Sequence, residues 1–308
     1  MDMSDLQRAS LATPTLRGTL RVDEPMARHV SWRTGGIAAR AYLPADLEDL
    51  AAFLRGVPDG EPLLFVGLGS NLLVRDGGYR GTVVFLHGAL DRIAIESNRA
   101  IYAQAGVASP KVARFAANHD LVGAEFLAGI PGTVGGSLAM NAGCYGGETW
   151  QIVERVRTLD RKGNLHNRMP ADFDVGYRHV VNRVGAEEFF VAAWLRLTRG
   201  DGQASRQHIK ELLEKRIAAQ PLQLPNAGSV FRNPAGDHAA RLIETAGLKG
   251  FAIGGARISE KHANFIVNPD GAGSAADIEA LIEHAQRTVA EKFGVELVRE
   301  VRIVGETK

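Results

Sequence analysis

The chain has 308 residues, with 36 lysines and arginines against 35 aspartates and glutamates and a net charge of +1. That balance excludes a broad basic surface for nucleic acid or an anionic membrane, and a single cysteine, Cys144, excludes a disulfide framework. At 45% hydrophobic residues the chain can bury real cores, and its length suits two domains or three small ones.

Residues 1–19 read as a loose tail. Met1 to Leu16 lacks both the apolar run of a signal peptide and the base-rich, acid-poor character of a transit peptide. No membrane span is evident, so a cytoplasmic location is expected. Strands and helices then alternate. Asp46 to Leu54 predicts a helix with Leu47, Leu50 and Leu54 on one face. Leu63 to Val66 is a buried-type strand, Thr82 to Leu86 another, and Ile101 to Gln104 a third. Ser109 suits a helix cap and Pro110 the first helical position, ahead of Val112, Phe115 and Ala116.

Glu125 and Glu148 enclose twenty-two uncharged residues, seven of them glycine. The glycines and Pro131 make a long helix poor, and the Ile, Leu, Val and Met content is wrong for a flexible linker. Two readings stand: a wall of a nucleotide-cofactor site built from bare backbone, or a tightly packed turn inside a core. Cys144 lies in this tract, with no reactive-thiol signature around it.

Beyond the tract, Ile152 to Leu159 and Phe189 to Leu197 are β-rich, with Gly163-Asn164 as a turn. A boundary is expected near Arg199-Gly200-Asp201-Gly202. An amphipathic helix follows with Ile209, Leu212, Leu213 and Ile217 on one face, then another from Asp237 toward Gly247. Ser274 and Asp277 predict a capping box for the last helix, which Gly294 ends. Leu297 to Val304 closes the chain as a strand.

Four places offer chemistry. Val66-Gly67-Leu68-Gly69-Ser70-Asn71-Leu72 follows a strand but lacks the third glycine of a dinucleotide fingerprint, and its sequel, Leu72 to Asp76, reads as a strand. A phosphate contact and an ordinary hairpin both remain open. The glycine tract offers Ile130, Pro131, Thr133, Gly136, Ser137 and Asn141, many N–H groups with few large side chains. Ser229, in Gly228-Ser229-Val230-Phe231, lacks the glycine two residues on that a hydrolase elbow needs, Phe231 standing there, and a cap or turn serine is the other reading. Glu300, inside an apolar strand, is an edge device or a site residue, and Arg178, after Gly176-Tyr177, is solvated unless an anion waits for it.

Ser31-Trp32-Arg33-Thr34-Gly35-Gly36, Gly67-Leu68-Gly69-Ser70-Asn71-Leu72-Leu73, Ala128 to Gly136 with Met140-Asn141-Ala142-Gly143, Tyr177-Arg178, Gly228-Ser229-Val230-Phe231-Arg232-Asn233-Pro234 and Glu300-Val301-Arg302 occur in one order. That order and spacing resemble the UDP-N-acetylenolpyruvoylglucosamine reductase family, flavoenzymes that make UDP-N-acetylmuramate for bacterial peptidoglycan. The likeness spans about residues 20 to 305. Residues 258–265 fit the shorter form of the family, which lacks an insertion carrying a substrate-contacting tyrosine, and Tyr177 is the expected substitute.

The resemblance implies an α+β protein. Its FAD-binding domain, residues 20–200, would be of the vanillyl-alcohol-oxidase (PCMH) type, with α/β lobes at about 20–88 and 89–200. A substrate-binding α+β lobe, 201–308, would send its last strand back toward the active site. Non-covalent FAD would lie on Leu68, Gly69, Ser70, Asn71 and Leu72 and on Ile130, Pro131, Thr133, Gly136, Ser137 and Asn141. The catalytic positions match Arg178, Ser229 and Glu300; substrate or NADPH contacts would come from Tyr177, Arg216, Gln220, Asn233 and Lys261. The implied reaction is NADPH-dependent reduction of UDP-N-acetylglucosamine enolpyruvate, with Ser229 as proton donor, Arg178 as cationic stabiliser and Glu300 as a hydrogen-bonding carboxyl. A monomer with no metal is expected. Rival readings are an oxidase of the same cofactor fold, of a kind that often tethers flavin through His or Cys although no residue here is a compelling tether and Cys144 merely lies in the tract, and a nucleotide-sugar or flavin-binding module without catalysis.

Overall fold

The structure, a computed structural model, describes residues 16–96, 100–185 and 187–308. The expected tail therefore falls outside the described residues up to position 15; by Thr19 the chain has entered the first strand.

The first sheet joins β1 (Thr19–Pro25), β2 (Ile37–Leu43), β3 (Leu63–Val66) and β5 (Tyr79–Phe85) in the order β1-β2-β5-β3. β1 runs antiparallel to β2, while β2 and β3 run parallel to β5. Between β2 and β3, helix α1 (Leu47–Arg55) is capped by Asp46, whose Oδ1 accepts the Asp49 N–H at 2.9 Å. α1 buries Leu50, Phe53 and Leu54 against Tyr42 and Val84, and also against Leu159 and Val191 of the next sheet, so it joins two lobes. After β3 comes β4 (Leu72–Val74), a strand as expected, which leaves this sheet.

The second sheet contains β6 (Ile93–Ile95), β7 (Ala100–Gln104), β11 (Val153–Asp160), β12 (Leu165–Arg168) and β15 (Glu188–Arg196), all antiparallel, in the order β12-β11-β15-β7-β6. Between β7 and β11 lie α2 (Ser109–Asn118), β8 (Leu121–Val122), α3 (Val134–Met140), β9 (Gly143–Cys144) and β10 (Gly147–Glu148). Between β12 and β15 the hairpin β13 (Phe173–Gly176) and β14 (His179–Asn182) projects Tyr177 and Arg178 at its tip. One core unites Ile101, Val112, Leu138, Trp150, Val156 and Leu195.

Two expectations change here. Ser109 is not the cap of α2; Ala108 holds that position, and the buried Ser109 hydroxyl lies 2.9 Å from the Ser137 hydroxyl. The glycine tract also contains a short helix, α3, whose backbone presses against Ala105 at Gly135, where a side chain would not fit.

β16 (Thr198–Arg199) leads into α4 (Gly202–Ala219), capped by Asp201. Ile209 of α4 packs into the second-sheet core, so by contact this helix joins the preceding lobe, although a boundary was expected before it. Ile217, expected on its apolar face, is exposed. α5 (Ala239–Thr245), β17 (Ala252–Ile253), β18 (Ala256–Ile258), β19 (Ile266–Val267) and α6 (Ala275–Phe293) build a third core around Leu242, Ile258, Ile282 and Val289. α6 has the expected Ser274–Asp277 capping box and ends at Gly294. The closing strand, β20, is shorter than expected at Arg302–Val304 and runs parallel to β4. Glu300 thus precedes the strand, where an isolated bridge pairs Arg299 with Phe231.

Candidate functional site

The loop between β3 and β4 has no internal use for its donors. Among the described residues, none of the backbone N–H groups of Leu68, Gly69, Ser70 and Asn71 donates to a protein acceptor. Such a run of free donors is an anion-binding nest. Protein contacts fix its shape. Gly69 sits at φ +60°, and a Cβ there would stand 2.0 Å from the His29 carbonyl oxygen. From the other side, the Ser31 N–H donates to the Gly69 carbonyl at 3.1 Å. Leu72 is buried in the core and contributes packing, since β4 begins there.

The glycine tract divides between the two readings. Gly135 and Gly129 are packing glycines: a Cβ would lie 2.9 Å from Ala105 Cβ and 2.6 Å from Cys144 Sγ, respectively. Gly132 and Gly136 keep an open face, with nothing nearer than 3.5 Å and 3.9 Å to an added Cβ. Thr133 and Ile130 are buried, whereas Pro131 is exposed beside Ser70 at a common cavity. The first N–H groups of α3 are already taken: Val134 donates to Val107 at 2.8 Å and Gly135 to Ala105 at 2.9 Å. Ser137 is buried on Ser109 and Cys144 sits against Gly129. Burial pushes the Cys144 thiol up, the opposite of an activated nucleophile.

Asn141, expected against the cofactor, ties protein segments together through its side chain. In the left-handed region at φ +46°, it donates to Glu148 Oε2 at 2.9 Å and the Gly176 carbonyl at 3.1 Å, and it accepts the Trp150 N–H at 3.1 Å. This clamps the hairpin tip, where Arg178 is also left-handed at φ +54°. Arg178 donates to the carbonyls of Asn141 at 3.2 Å and Gly143 at 3.0 Å, and from Nε to Glu300 Oε1 at 2.9 Å. A guanidinium has five N–H donors, so one on each terminal nitrogen stays free for a ligand. Exposed Tyr177 places its ring 4.9 Å from the Arg178 guanidinium carbon.

Glu300 comes from the far end of the chain. Its N–H donates to the Val230 carbonyl at 2.8 Å, and its own carbonyl accepts Asn71 Nδ2 at 3.1 Å. The segment bearing Ser229, the nest loop and the Arg178 tip therefore converge on one residue. Burial pushes the Glu300 carboxyl above its ordinary range, outweighing the pull of Arg178 and of Arg232. Arg232 has a buried Nε with no hydrogen-bond partner among the described residues. Gly228, at φ +74°, donates to Asn226 Oδ1 at 3.0 Å and turns the chain into Ser229.

A cavity of about 720 Å³ lies beside the nest loop, walled by Ser70, Pro131, Arg216, Asn226 and Gly228; Arg178, Ser229 and Glu300 do not line it. Arg216 is half-buried, donates to Gln220 Oε1 at 2.8 Å, and is lowered by burial. Lys261 donates to the Ile217 carbonyl at the end of α4 at 2.6 Å. Asn233 Oδ1 accepts the Ala239 N–H at 3.1 Å, at the start of α5.

Residues 38–167 match the model of an FAD binding domain, and residues 220–304 match that of the UDP-N-acetylenolpyruvoylglucosamine reductase C-terminal domain. The UDP-N-acetylenolpyruvoylglucosamine reductase of Thiobacillus denitrificans is 58% identical over 99% of this chain and 98% of its own length. That of Alkalilimnicola ehrlichii is also 58% identical, over 94% of this chain and 96% of its own. This chain belongs to the UDP-N-acetylenolpyruvoylglucosamine reductase family. The Thermus caldophilus UDP-N-acetylenolpyruvylglucosamine reductase structure superposes with a TM-score of 0.78 at 30% identity, covering 93% of this chain and 98% of that one. The expected α+β architecture holds, and the protein is an FAD-binding oxidoreductase.

The donor set fits that cofactor: a nest of free N–H groups suits a diphosphate, and the open faces of Gly132 and Gly136 admit close approach. Sequence reasoning gave no site role to Arg28, Arg33 and Asn226, all of which line this cavity. The run of Asn226 ahead of Gly228-Ser229 was a legible turn signal. Among the described residues no helix is long and apolar enough to cross a membrane, and no group of side chains suits a metal.

Proposed function

We propose that the protein reduces UDP-N-acetylglucosamine enolpyruvate to UDP-N-acetylmuramate with NADPH as reductant, supplying a peptidoglycan precursor. The observation that carries this reading is the convergence of Arg178, Glu300 and the Ser229 segment beside the nest loop.

FAD, held without a covalent bond by the nest at Leu68–Asn71 and by the Gly132–Gly136 face, supplies hydride chemistry between NADPH and the enolpyruvyl methylene carbon. Arg178 receives the substrate carboxylate on its two free N–H groups, which places permanent positive charge where negative charge develops. Glu300 orients that guanidinium by accepting from Nε. Ser229 donates the proton to the carbon next to the carboxylate; a hydroxyl suffices because the developing carbanion is a strong base. A proton from solvent then restores the hydroxyl. Tyr177, Arg216, Gln220, Asn233 and Lys261 are assigned to the nucleotide sugar or the reductant.

The purified protein should be yellow, and it should oxidise NADPH only when the enolpyruvyl nucleotide sugar is present. A preparation that stays colourless after refolding with FAD contradicts the reading.

A further inference from the structure

Arg28 and Arg33 line the same cavity as Arg216, and no Asp or Glu shares the wall. Neither the Arg28 nor the Arg33 side chain makes a hydrogen bond or ion pair to any described residue, and among the described residues the Arg216 side chain bonds only the neutral Gln220. Three cations thus face one space without a counter-charge, in a chain whose net charge is only +1. Arginines left to solvent repel one another when gathered this way, and the arrangement gains stability when a polyanion enters.

The backbone that carries Arg33 is fixed at both ends. Trp32 is fully buried in the third core, with Nε1 donating to the Ile266 carbonyl at 2.8 Å and its own carbonyl accepting Asn268 Nδ2 at 2.9 Å. Ser31 is fastened to the Gly69 carbonyl. Beyond Arg33 the Gly36 N–H donates to the Arg75 carbonyl at 3.2 Å, and between these anchors Arg33 is held at φ +57°, a left-handed conformation that costs a non-glycine residue energy and persists only where the surroundings impose it.

We propose that Arg28 and Arg33 bind nucleotide phosphate, completing with Arg216 a three-cation site for the diphosphate of an exchanging ligand. This inference rests on the reductase reading for the ligand's identity. The shared chemistry is a nucleoside diphosphate, which the nucleotide sugar and the dinucleotide reductant both carry. FAD has its own donors in the Leu68–Asn71 nest and is not the ligand meant.

The test is calorimetric titration of UDP, and separately of NADP⁺, into flavin-loaded wild type, Arg28→Ala, Arg33→Ala, Arg33→Lys and the remote control Arg199→Ala. Steady-state KM and kcat are read for both substrates. UDP affinity, NADP⁺ affinity or both should fall at least tenfold in Arg28→Ala and in Arg33→Ala, with partial recovery in Arg33→Lys and none of this in the control. The arm that responds names the source. The loss should appear in KM more than in kcat, and the salt dependence of that KM should flatten.

Unchanged affinity for both nucleotides overturns the proposal, as does a variant whose sole defect is loss of FAD. Titration needs no turnover, so the two readings separate. Nucleotide binding that depends on these arginines, in a protein that does not reduce the enolpyruvyl sugar, refutes the reductase reading alone; turnover with unaffected binding refutes the arginine site alone.

Discussion

Arg178 Nε donates to Glu300 Oε1 at 2.9 Å, joining residues 122 apart in sequence and both largely buried. Burial nevertheless wins at Glu300 and raises its carboxyl. A carboxyl raised in the folded state adds stability at acid pH and loses it as pH climbs through the folded value. Glu300→Gln keeps an acceptor for Arg178 and removes the buried charge. Its melting temperature relative to wild type should therefore rise between pH 4 and pH 8, while kcat at neutral pH falls by roughly 100-fold. A destabilised variant at neutral pH contradicts this account of Glu300.

Arg178→Lys tests geometry against charge. Lysine keeps the positive charge but cannot reach the Asn141 and Gly143 carbonyls and Glu300 together as a planar fork. Bleaching of the flavin by NADPH should be nearly normal, and reoxidation by the enolpyruvyl sugar should slow by roughly 100-fold. Equal losses in both steps would mean that the hairpin tip had collapsed.

The two glycine strips should respond differently to alanine. Gly69→Ala meets the His29 carbonyl at 2.0 Å from a left-handed backbone, so a loss of at least about 2 kcal/mol is expected, with little folded protein. Gly136→Ala meets nothing nearer than 3.9 Å and replaces a helical glycine, which stabilises by up to about 1 kcal/mol. The apoprotein of Gly136→Ala should thus melt at or above wild type while FAD affinity falls at least tenfold; undiminished FAD affinity would remove Gly136 from the cofactor wall.

Trp32 is the buried tie between the third core and the nest loop. Trp32→Ala should cost about 3–5 kcal/mol in chemical denaturation. A cost below about 1 kcal/mol would show that the tie is not needed.

The elements with strong local signals were legible in sequence. The capped helices α1 and α6 and the Leu63–Val66 strand form where their spacing and caps predict. Less legible was anything decided by distant contacts. Ser109 fits a cap, yet its hydroxyl is claimed by Ser137. Glu300 looks like a strand residue, but the strand waits until β4 is available at Arg302. Several glycines of the uncharged tract serve packing against residues such as Ala105 and Cys144, and periodicity carries no information about those partners. For the candidate site, the segments that converge on Glu300 stood out in the sequence while their contacts did not: Asn141 supports Arg178, Arg28 gave no local signal because an isolated surface arginine is ordinary, and Arg33 stood in the Ser31–Gly36 motif with no role assigned.

The proton role assigned to Ser229 is tested most directly by rapid mixing of Ser229→Ala in its two half-reactions. Flavin absorbance should bleach with NADPH at close to the wild-type rate, and its return on adding the enolpyruvyl nucleotide sugar should slow by roughly 100- to 1,000-fold. Return of colour at the wild-type rate would contradict the account.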